Sequence, residues 1–230
     1  MKEQTKLKLL HIFFPNKCPS CHKAISSQML FCEKCESDFV YPLGERCEVC
    51  FNKKEYCDCA KRPKFYFRSI TPFLYKNSAK NALITLKVLK NKRVAKFFAQ
   101  NIVLAFDKKY SNVKIDAVIP VPLFKERQKQ RGFNQSELIA EEIAKIKGVP
   151  LNNNCLKQKE KSKAQHSLNF KQRFENVKGI YKASGIPIEC QTVMLVDDIM
   201  TSGATLNECA KMLRLEGVSK IYCVAAAKSE

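Results

Sequence analysis

The sequence has no apolar run of the length that a membrane span requires. A helix needs about 20 consecutive apolar residues to cross a bilayer, and no hydrophobic stretch in these 230 residues approaches that length. The first 15 residues combine basic and apolar side chains, but no small-residue cleavage site follows them, so we expect no secretory signal. These absences predict a cytoplasmic protein with no transmembrane segment.

Acidic residues are scarce relative to basic ones. The chain has 22 Asp and Glu residues against 41 Lys and Arg residues, which gives a formal net charge of +19. A surplus of this size favours polyanionic partners such as nucleic acid, acidic lipid headgroups or phosphorylated small molecules. The alternative is a solvated basic surface with no specific ligand. The net charge therefore indicates that a partner would be negatively charged, but it does not identify that partner.

Cysteine, in contrast, is abundant at one end of the chain. Of twelve cysteines, eight fall within residues 18–59. They form two sets of four, namely Cys18, Cys21, Cys32 and Cys35, followed by Cys47, Cys50, Cys57 and Cys59. Two C-x-x-C pairs separated by ten residues, as in the first set, can present four thiolates tetrahedrally to one Zn²⁺. The second set matches this pattern less well because C-x-C replaces one of its pairs.

Disulfides are an alternative use of these cysteines, but a reducing compartment disfavours them. Redox-active C-x-x-C pairs are disfavoured by the tandem arrangement of four pairs. We therefore expect a small zinc-ribbon domain with one or two structural zinc ions, since four thiolates close the coordination shell and leave no position for a substrate. Such a module either binds nucleic acid or protein, or serves only to stabilise the fold.

A basic and aromatic stretch at residues 60–67 follows the cysteines and is interrupted by Pro63. We place the domain junction there, with a cysteine-rich domain over residues 1–64 and a second domain over residues 65–230. Two interpretations of the stretch stay open. It holds single-stranded nucleic acid by ion pairing and base stacking, or it forms a strand whose aromatic side chains pack inward.

Beyond the junction, apolar runs and helical periodicity alternate in the manner of α/β proteins. Buried strands are predicted at residues 115–122, 193–196 and 219–228. Helices are predicted at residues 78–105 with a break near Asn91, at 134–148 and at 203–217. The expected fold is a parallel sheet flanked by helices.

One segment, "VMLVDDIMTSGAT" at residues 193–205, combines a strand, two acids and a turn of small residues. The turn consists of Thr201, Ser202, Gly203, Ala204 and Thr205. It opens a predicted helix, whose N-terminal N–H groups attract anions, and its glycine permits close approach of the backbone. Asp197 and Asp198 could accept hydrogen bonds from two neighbouring hydroxyls. A ribose with a 5′-phosphate supplies both features.

The same segment resembles the phosphoribosyl pyrophosphate motif of type I phosphoribosyltransferases. In those enzymes the loop holds the 5′-phosphate and the two acids contact the ribose hydroxyls. The resemblance implies these roles for residues 201–205 and for Asp197 and Asp198, with phosphoribosyl pyrophosphate bound together with Mg²⁺.

The likeness extends further along the chain. The segments "RGFNQSELIA" (131–140) and "QHSLNFKQRFENVKGIY" (165–181), together with the paired cysteines, are similar to the ComF family of competence proteins. The resemblance covers residues 18–228 and implies a zinc ribbon joined to a type I phosphoribosyltransferase-like domain. It also implies a role with single-stranded DNA in natural transformation, at the cytosolic face of the inner membrane and beside the DNA-uptake machinery.

Three functions stay open at this point: a DNA-handling protein that retains a sugar-phosphate pocket, an active enzyme that transfers phosphoribose to a nitrogenous acceptor, and a regulator that senses the donor. No catalytic residue is assigned. By analogy with transferases of this fold, residues 120–122 are expected near pyrophosphate, and the basic segment 157–173 is expected to be a mobile loop over the site. The ribbon, the charge and the resemblance favour the first function.

Overall fold

The computed structural model describes residues 16–62, 64–159, 177 and 179–230. Within these ranges the strands are β1 (Asn16–Lys17), β2 (Ala24–Ile25), β3 (Arg68–Ile70), β4 (Phe73–Leu74), β5 (Ala117–Pro120), β6 (Leu156–Gln158), β7 (Tyr181–Ala183), β8 (Thr192–Met200) and β9 (Lys220–Lys228). The helices are α1 (Glu33–Ser37), α2 (Asn77–Leu89), α3 (Lys92–Tyr110), α4 (Lys125–Arg131), α5 (Gln135–Lys147) and α6 (Ala204–Leu215), with a 3-10 turn at Lys54–Tyr56.

A parallel sheet occupies the centre of the molecule. β9 pairs with β8 on one side and with β3 and β4 on the other, and β5 pairs with β8. Residues 193–196 of β8 and 221–227 of β9 are buried along their whole length, which is the pattern of strands covered by helices. The prediction of a parallel sheet flanked by helices is confirmed.

Local capping explains where the helices on the sheet begin and end. α2 ends at Lys90, which adopts a left-handed φ of 49°, and the Asn91 side chain accepts hydrogen bonds from the first N–H groups of α3. The break predicted near Asn91 is therefore present. Asn134 caps α5 in the same way, and Gly148 ends that helix with a φ of 64°.

Two elements differ from the sequence predictions. β8 ends at Met200 rather than at Val196, because β9 continues beside it as far as the pair formed by Met200 and Lys228. Asp197 and Asp198 therefore lie within a strand and not after its end. In addition, the basic stretch after the proline-rich loop forms α4, for which the sequence analysis predicted no helix.

The cysteine-rich segment packs against the sheet edge and the α2–α3 pair through aromatic side chains. Phe31 and Phe39 lie among Phe73, Phe97 and Phe98, with ring centroids 4.8 to 6.5 Å apart. Burial of several aromatic rings at one contact is a large apolar contribution to stability. This contact fixes the first cysteine set beside α2.

Two hydrogen bonds also join the cysteine-rich segment to α2 and to β3. The Thr85 hydroxyl on α2 donates to the Pro19 carbonyl at 2.7 Å, and the Ser69 hydroxyl on β3 donates to the Val49 carbonyl at 2.6 Å. Each cysteine set thereby has its own hydrogen bond to the sheet or its helices.

Over the described residues, we find no helix with both the length and the apolar character that crossing a bilayer requires.

Candidate functional site

Two adjoining cavities lie at the carboxyl ends of β8 and β9, where open parallel sheets bind their ligands. The acid-pair cavity, of about 450 Å³, is lined by Asp197 and Asp198. The ribbon-side cavity, of about 610 Å³, lies between residues 46–58 and the start of the 201–205 loop. Thr201 and Ser229 line both cavities.

The structure brings most of the predicted sugar-phosphate residues to these cavities. Asp197, Asp198, Thr201 and Thr205 line the acid-pair cavity. Ser202 lines the ribbon-side cavity instead. The remaining two members of the predicted set, Gly203 and Ala204, are buried in the loop itself.

The two acids have different partners. Asp197 Oδ1 accepts hydrogen bonds from the Ser136 hydroxyl at 3.1 Å and from the Asp198 N–H at 2.8 Å. Asp198 Oδ2 lies 3.0 Å from the Lys87 ammonium of α2. Burial, and secondarily the neighbouring charge of Asp198, raises the pKa of Asp197 to about 7.

We expect Asp197→Asn to stabilise the protein at pH 8. Because the pKa of Asp197 is raised from an unfolded value near 4, the folded protein retains a proton that the unfolded chain releases between about pH 4 and pH 7. The free energy of unfolding therefore falls across this window, and the cost is fully present above it. The neutral amide removes that cost, which is up to about 4 kcal/mol for a pKa raised from about 4 to about 7.

Urea unfolding of both proteins at pH 4 and pH 8 measures this effect. The gain should be large at pH 8 and small at pH 4, where the wild-type carboxyl is protonated in the folded state and still about half protonated in the unfolded chain. An equal effect of the substitution at both pH values would contradict the raised pKa.

The loop after the acids turns sharply at Gly203. Gly203 has a φ of 74° and immediately precedes α6, and a Cβ added there would lie 3.4 Å from the Tyr66 hydroxyl. Only glycine adopts this conformation without strain. The Ser202 hydroxyl accepts a hydrogen bond from the Ala204 N–H at 3.3 Å, so this side chain supports the turn from within.

A buried lysine joins the start of the loop to the end of β9. The Lys228 ammonium donates to the carbonyls of Thr201 at 2.7 Å and Ser229 at 2.8 Å. Burial lowers the pKa of Lys228. Burial of a charged ammonium costs free energy, and its hydrogen bonds to the two carbonyl groups offset part of that cost.

Ser136 belongs to the "RGFNQS" segment, to which the sequence analysis gave a resemblance but no role. The segment turns from α4 into α5: Asn134 donates to the Val121 carbonyl at 2.9 Å, and Arg131 donates to the Gln135 amide oxygen at 3.2 Å. These hydrogen bonds fix the start of α5, and Ser136 thereby lies beside Asp197. Helices that follow parallel strands begin at the sheet's carboxyl edge, which is the signal that could have identified Ser136.

The antiparallel pair of β6 and β7 forms another wall of the acid-pair cavity. The Gln158 amide donates to the Tyr181 hydroxyl at 3.3 Å, and burial raises the pKa of Tyr181. The segment expected to be a mobile loop, residues 157–173, starts in β6, but its residues 160–173 lie outside the described part of the chain. The expectation for that loop stays a prediction.

Each cysteine set is assembled into a compact cluster, in which all four sulfurs lie within 4.8 Å of one another. Sulfur–sulfur distances of 3.6, 3.9 and 3.8 Å separate Cys21 from Cys32, Cys47 from Cys59 and Cys50 from Cys57, respectively. A disulfide bond is about 2.05 Å long, whereas a tetrahedron with Zn–S bonds of about 2.3 Å has edges of about 3.8 Å. Both sets could therefore hold a structural zinc ion.

The two clusters share one turn geometry. The N–H of His22 donates to the Cys18 carbonyl and the N–H of Phe51 donates to the Cys47 carbonyl, both at 2.9 Å. His22 and Phe51, each the residue after a C-x-x-C pair, have φ values of 61° and 58°. Although burial opposes ionisation, backbone N–H groups lower the pKa of Cys18 and of Cys47 to about 7. Thiolates are the form that binds zinc.

No family model matches the sequence. Individual relatives do: the "Competence protein F" of Haemophilus influenzae is 29% identical over 225 residues, which cover 96% of this chain and 93% of that protein. The "Competence protein ComFC" of Bacillus subtilis is 30% identical over 146 residues, which cover 63% of this chain and 57% of that protein. The chain is therefore similar to ComF competence proteins along most of its length.

A third relative, the "DNA utilization protein YhgH" of Salmonella typhi, is 23% identical over 214 residues, or 90% of this chain and 88% of that protein. The alignment with the Haemophilus protein leaves only 4% of the chain uncovered. It therefore spans both cysteine sets and the acid pair, so the family likeness is not confined to one motif.

Proposed function

We propose that this chain is a ComF-type protein that acts in DNA uptake during natural transformation, binding single-stranded DNA and holding phosphoribosyl pyrophosphate with Mg²⁺ in the acid-pair cavity. One observation carries the proposal: the acid pair and two hydroxyl residues of the loop, Thr201 and Thr205, line one cavity of a chain with a net charge of +19. The relatives named for competence and DNA utilization support the DNA part. In this proposal the protein works at the cytosolic face of the inner membrane, beside the uptake machinery.

The proposed roles follow from the positions of the residues. The 5′-phosphate would meet the hydroxyls of Thr201 and Thr205 and the N–H groups that open α6. The ribose hydroxyls would donate to Asp197 and Asp198, both of which line the cavity. Their carboxylates are also hard oxygen ligands of the kind that Mg²⁺ accepts, while Lys87 would supply charge complementary to the pyrophosphate.

We expect single-stranded DNA to bind with a steep dependence on salt. Binding releases counterions from the strand, and the logarithm of affinity falls by about 0.7 per neutralised phosphate for each decade of salt. If four phosphates are neutralised, affinity falls by about 50-fold between 50 and 200 mM salt. Fluorescence anisotropy with a 20-nucleotide oligo(dT) measures this, and a flat response would remove the electrostatic basis of the proposal.

The test of the combined function uses one protein sample for two assays. A gel shift with oligo(dT) detects the strand, and calorimetry with phosphoribosyl pyrophosphate and Mg²⁺ detects the donor. Binding of both is expected. Binding of the donor alone would argue against DNA handling, and binding of DNA alone would argue against the sugar-phosphate site.

An active phosphoribosyltransferase is the second candidate, favoured by the presence of both acids and of two loop hydroxyl residues, Thr201 and Thr205, around one cavity. Release of pyrophosphate in the presence of a panel of nitrogenous acceptors would identify this activity. The release should require Asp198, so Asp198→Ala is the matched control for contaminating enzymes.

A further inference from the structure

The ribbon-side cavity has no role in the proposed donor site, although it is the larger of the two and shares a wall with the acid-pair cavity. Its charged lining residues come from two distant parts of the chain. They are Arg46, Lys53, Asp58, Lys228 and Glu230. Ser202 of the 201–205 loop also lines this cavity, so a ligand there would lie next to any phosphate held by the loop.

Arg46 is a buried cation with unused hydrogen-bonding capacity. Its side chain is 8% exposed, and Nε has no hydrogen-bond partner among the described residues. Nη2 donates to the Leu43 carbonyl at 3.3 Å, and Nη1 lies 2.7 Å from a Glu230 carboxylate oxygen. A buried guanidinium donor without an acceptor is costly, so the position indicates a group that accepts hydrogen bonds and carries negative charge.

Glu230 is the anion that now lies against these cations. Its two carboxylate oxygens contact Arg46 at 2.7 Å and Lys76 at 3.6 Å, and Lys53 lines the same cavity. Three basic side chains thus surround a single carboxylate. The two non-bridging oxygens of a phosphate accept paired hydrogen bonds from a guanidinium as a carboxylate does, so a phosphate would take the place of the Glu230 carboxylate beside these cations.

The other charged groups of the cavity have partners of their own. Asp58 lies 3.4 Å from Arg62 and 3.9 Å from Lys64, so its charge is offset within its own segment. Lys228 donates to the carbonyls of Thr201 and Ser229. Among the cations that line the cavity, Arg46 and Lys53 are therefore the ones with hydrogen-bond donors available to a ligand.

We propose that the ribbon-side cavity is a second phosphate-binding site, in which Arg46 and Lys53 bind the phosphate and Glu230 competes with it. The proposal rests on the proposed function in one respect: the phosphate would be a phosphodiester of single-stranded DNA that continues past the 201–205 loop. Free phosphate or pyrophosphate would present the same kind of oxygen atoms to Arg46 and Lys53 without any DNA. The experiment separates these sources.

Two substitutions with opposite expected effects test the site in the full-length protein. Glu230→Gln removes the competing charge and should strengthen phosphate binding, while Lys53→Ala, at an exposed position, should weaken it. We expect about a tenfold change in each direction, the usual size for one charge contact of this kind. The probes are 20-nucleotide oligo(dT) by anisotropy, and inorganic phosphate and pyrophosphate by calorimetry.

The matched controls carry the same change of charge elsewhere. Glu189→Gln and Lys220→Ala alter exposed residues, and Lys220 begins β9 at the edge of the sheet opposite the cavities. If the controls change affinity as much as the site variants do, net charge explains the effect and the proposal is overturned. If neither site variant changes affinity for any probe, the proposal is overturned as well.

The pattern across probes identifies the ligand. Opposite shifts with oligo(dT) alone support a phosphodiester site, and opposite shifts with inorganic phosphate or pyrophosphate support a site for the free anion. The wild-type protein also reports separately on the proposed function. If wild type binds oligo(dT) and the donor while the site variants behave as wild type, only the second phosphate site fails. If wild type binds neither, the proposed function fails, and the inorganic phosphate titrations still decide the site.

Discussion

The double substitution Asp197→Ala/Asp198→Ala is expected to weaken binding of phosphoribosyl pyrophosphate by at least about 100-fold in the presence of Mg²⁺. Both carboxylates line the acid-pair cavity, and a hydrogen bond to a charged group contributes about 1.5 to 3 kcal/mol. Loss of two such bonds exceeds the roughly 2.8 kcal/mol that corresponds to a 100-fold change. Calorimetry on purified wild-type and variant protein measures the difference.

The control for this experiment is Asp107→Asn. Asp107 is on α3 and contacts Lys147 at 2.8 Å, so the substitution removes an acid outside the cavity. It should leave the donor affinity within about twofold of the wild-type value. An unchanged affinity in the double variant would show that the two aspartates do not hold the sugar, and the assignment of the cavity would be wrong.

The second large effect concerns the metal. We expect two zinc ions per chain, and we expect Cys50→Ser to reduce the count to one. Cys50 is buried, and its sulfur lies 3.8 Å from that of Cys57. Because binding energy at a structural zinc site is also folding energy, loss of the second ion should destabilise the protein by about 4 kcal/mol. That corresponds to a melting temperature about 10 °C lower.

Metal analysis by plasma mass spectrometry, together with thermal unfolding, checks both parts of this prediction. Cys190→Ser is the matched control, since Cys190 is a partly exposed cysteine outside both sets. It should keep two zinc ions and the wild-type melting temperature. A wild-type count of one zinc per chain would show that the second set does not bind metal.

The central sheet and its helices could be predicted because their signals are local. The run Val193–Val196 is apolar at every position, as a strand buried on both faces must be. Asn91 and Asn134 each precede a helical pattern and supply the side-chain oxygen that a helix start requires. The spacing of the cysteines likewise indicated which sulfurs belong together, and even the C-x-C set is assembled.

The features of the site that the sequence did not indicate depend on contacts between residues that are distant along the chain. β8 passes through two acids because β9 continues to pair with it, and no local pattern contains that information. Lys87 meets Asp198 across 111 positions, and Ser136 meets Asp197 across 61. α4 has a strongly basic sequence without apolar periodicity, so its seven residues carried no helical signal.

The wall that Thr201 and Ser229 contribute to both cavities has a thermodynamic consequence. A ligand that shifts this wall from one side alters the fit on the other, and such heterotropic linkage is reciprocal. If the proposed sugar phosphate and DNA strand bind in these two cavities, each must change the affinity of the protein for the other by the same factor. DNA capture would then respond to the supply of an activated metabolite.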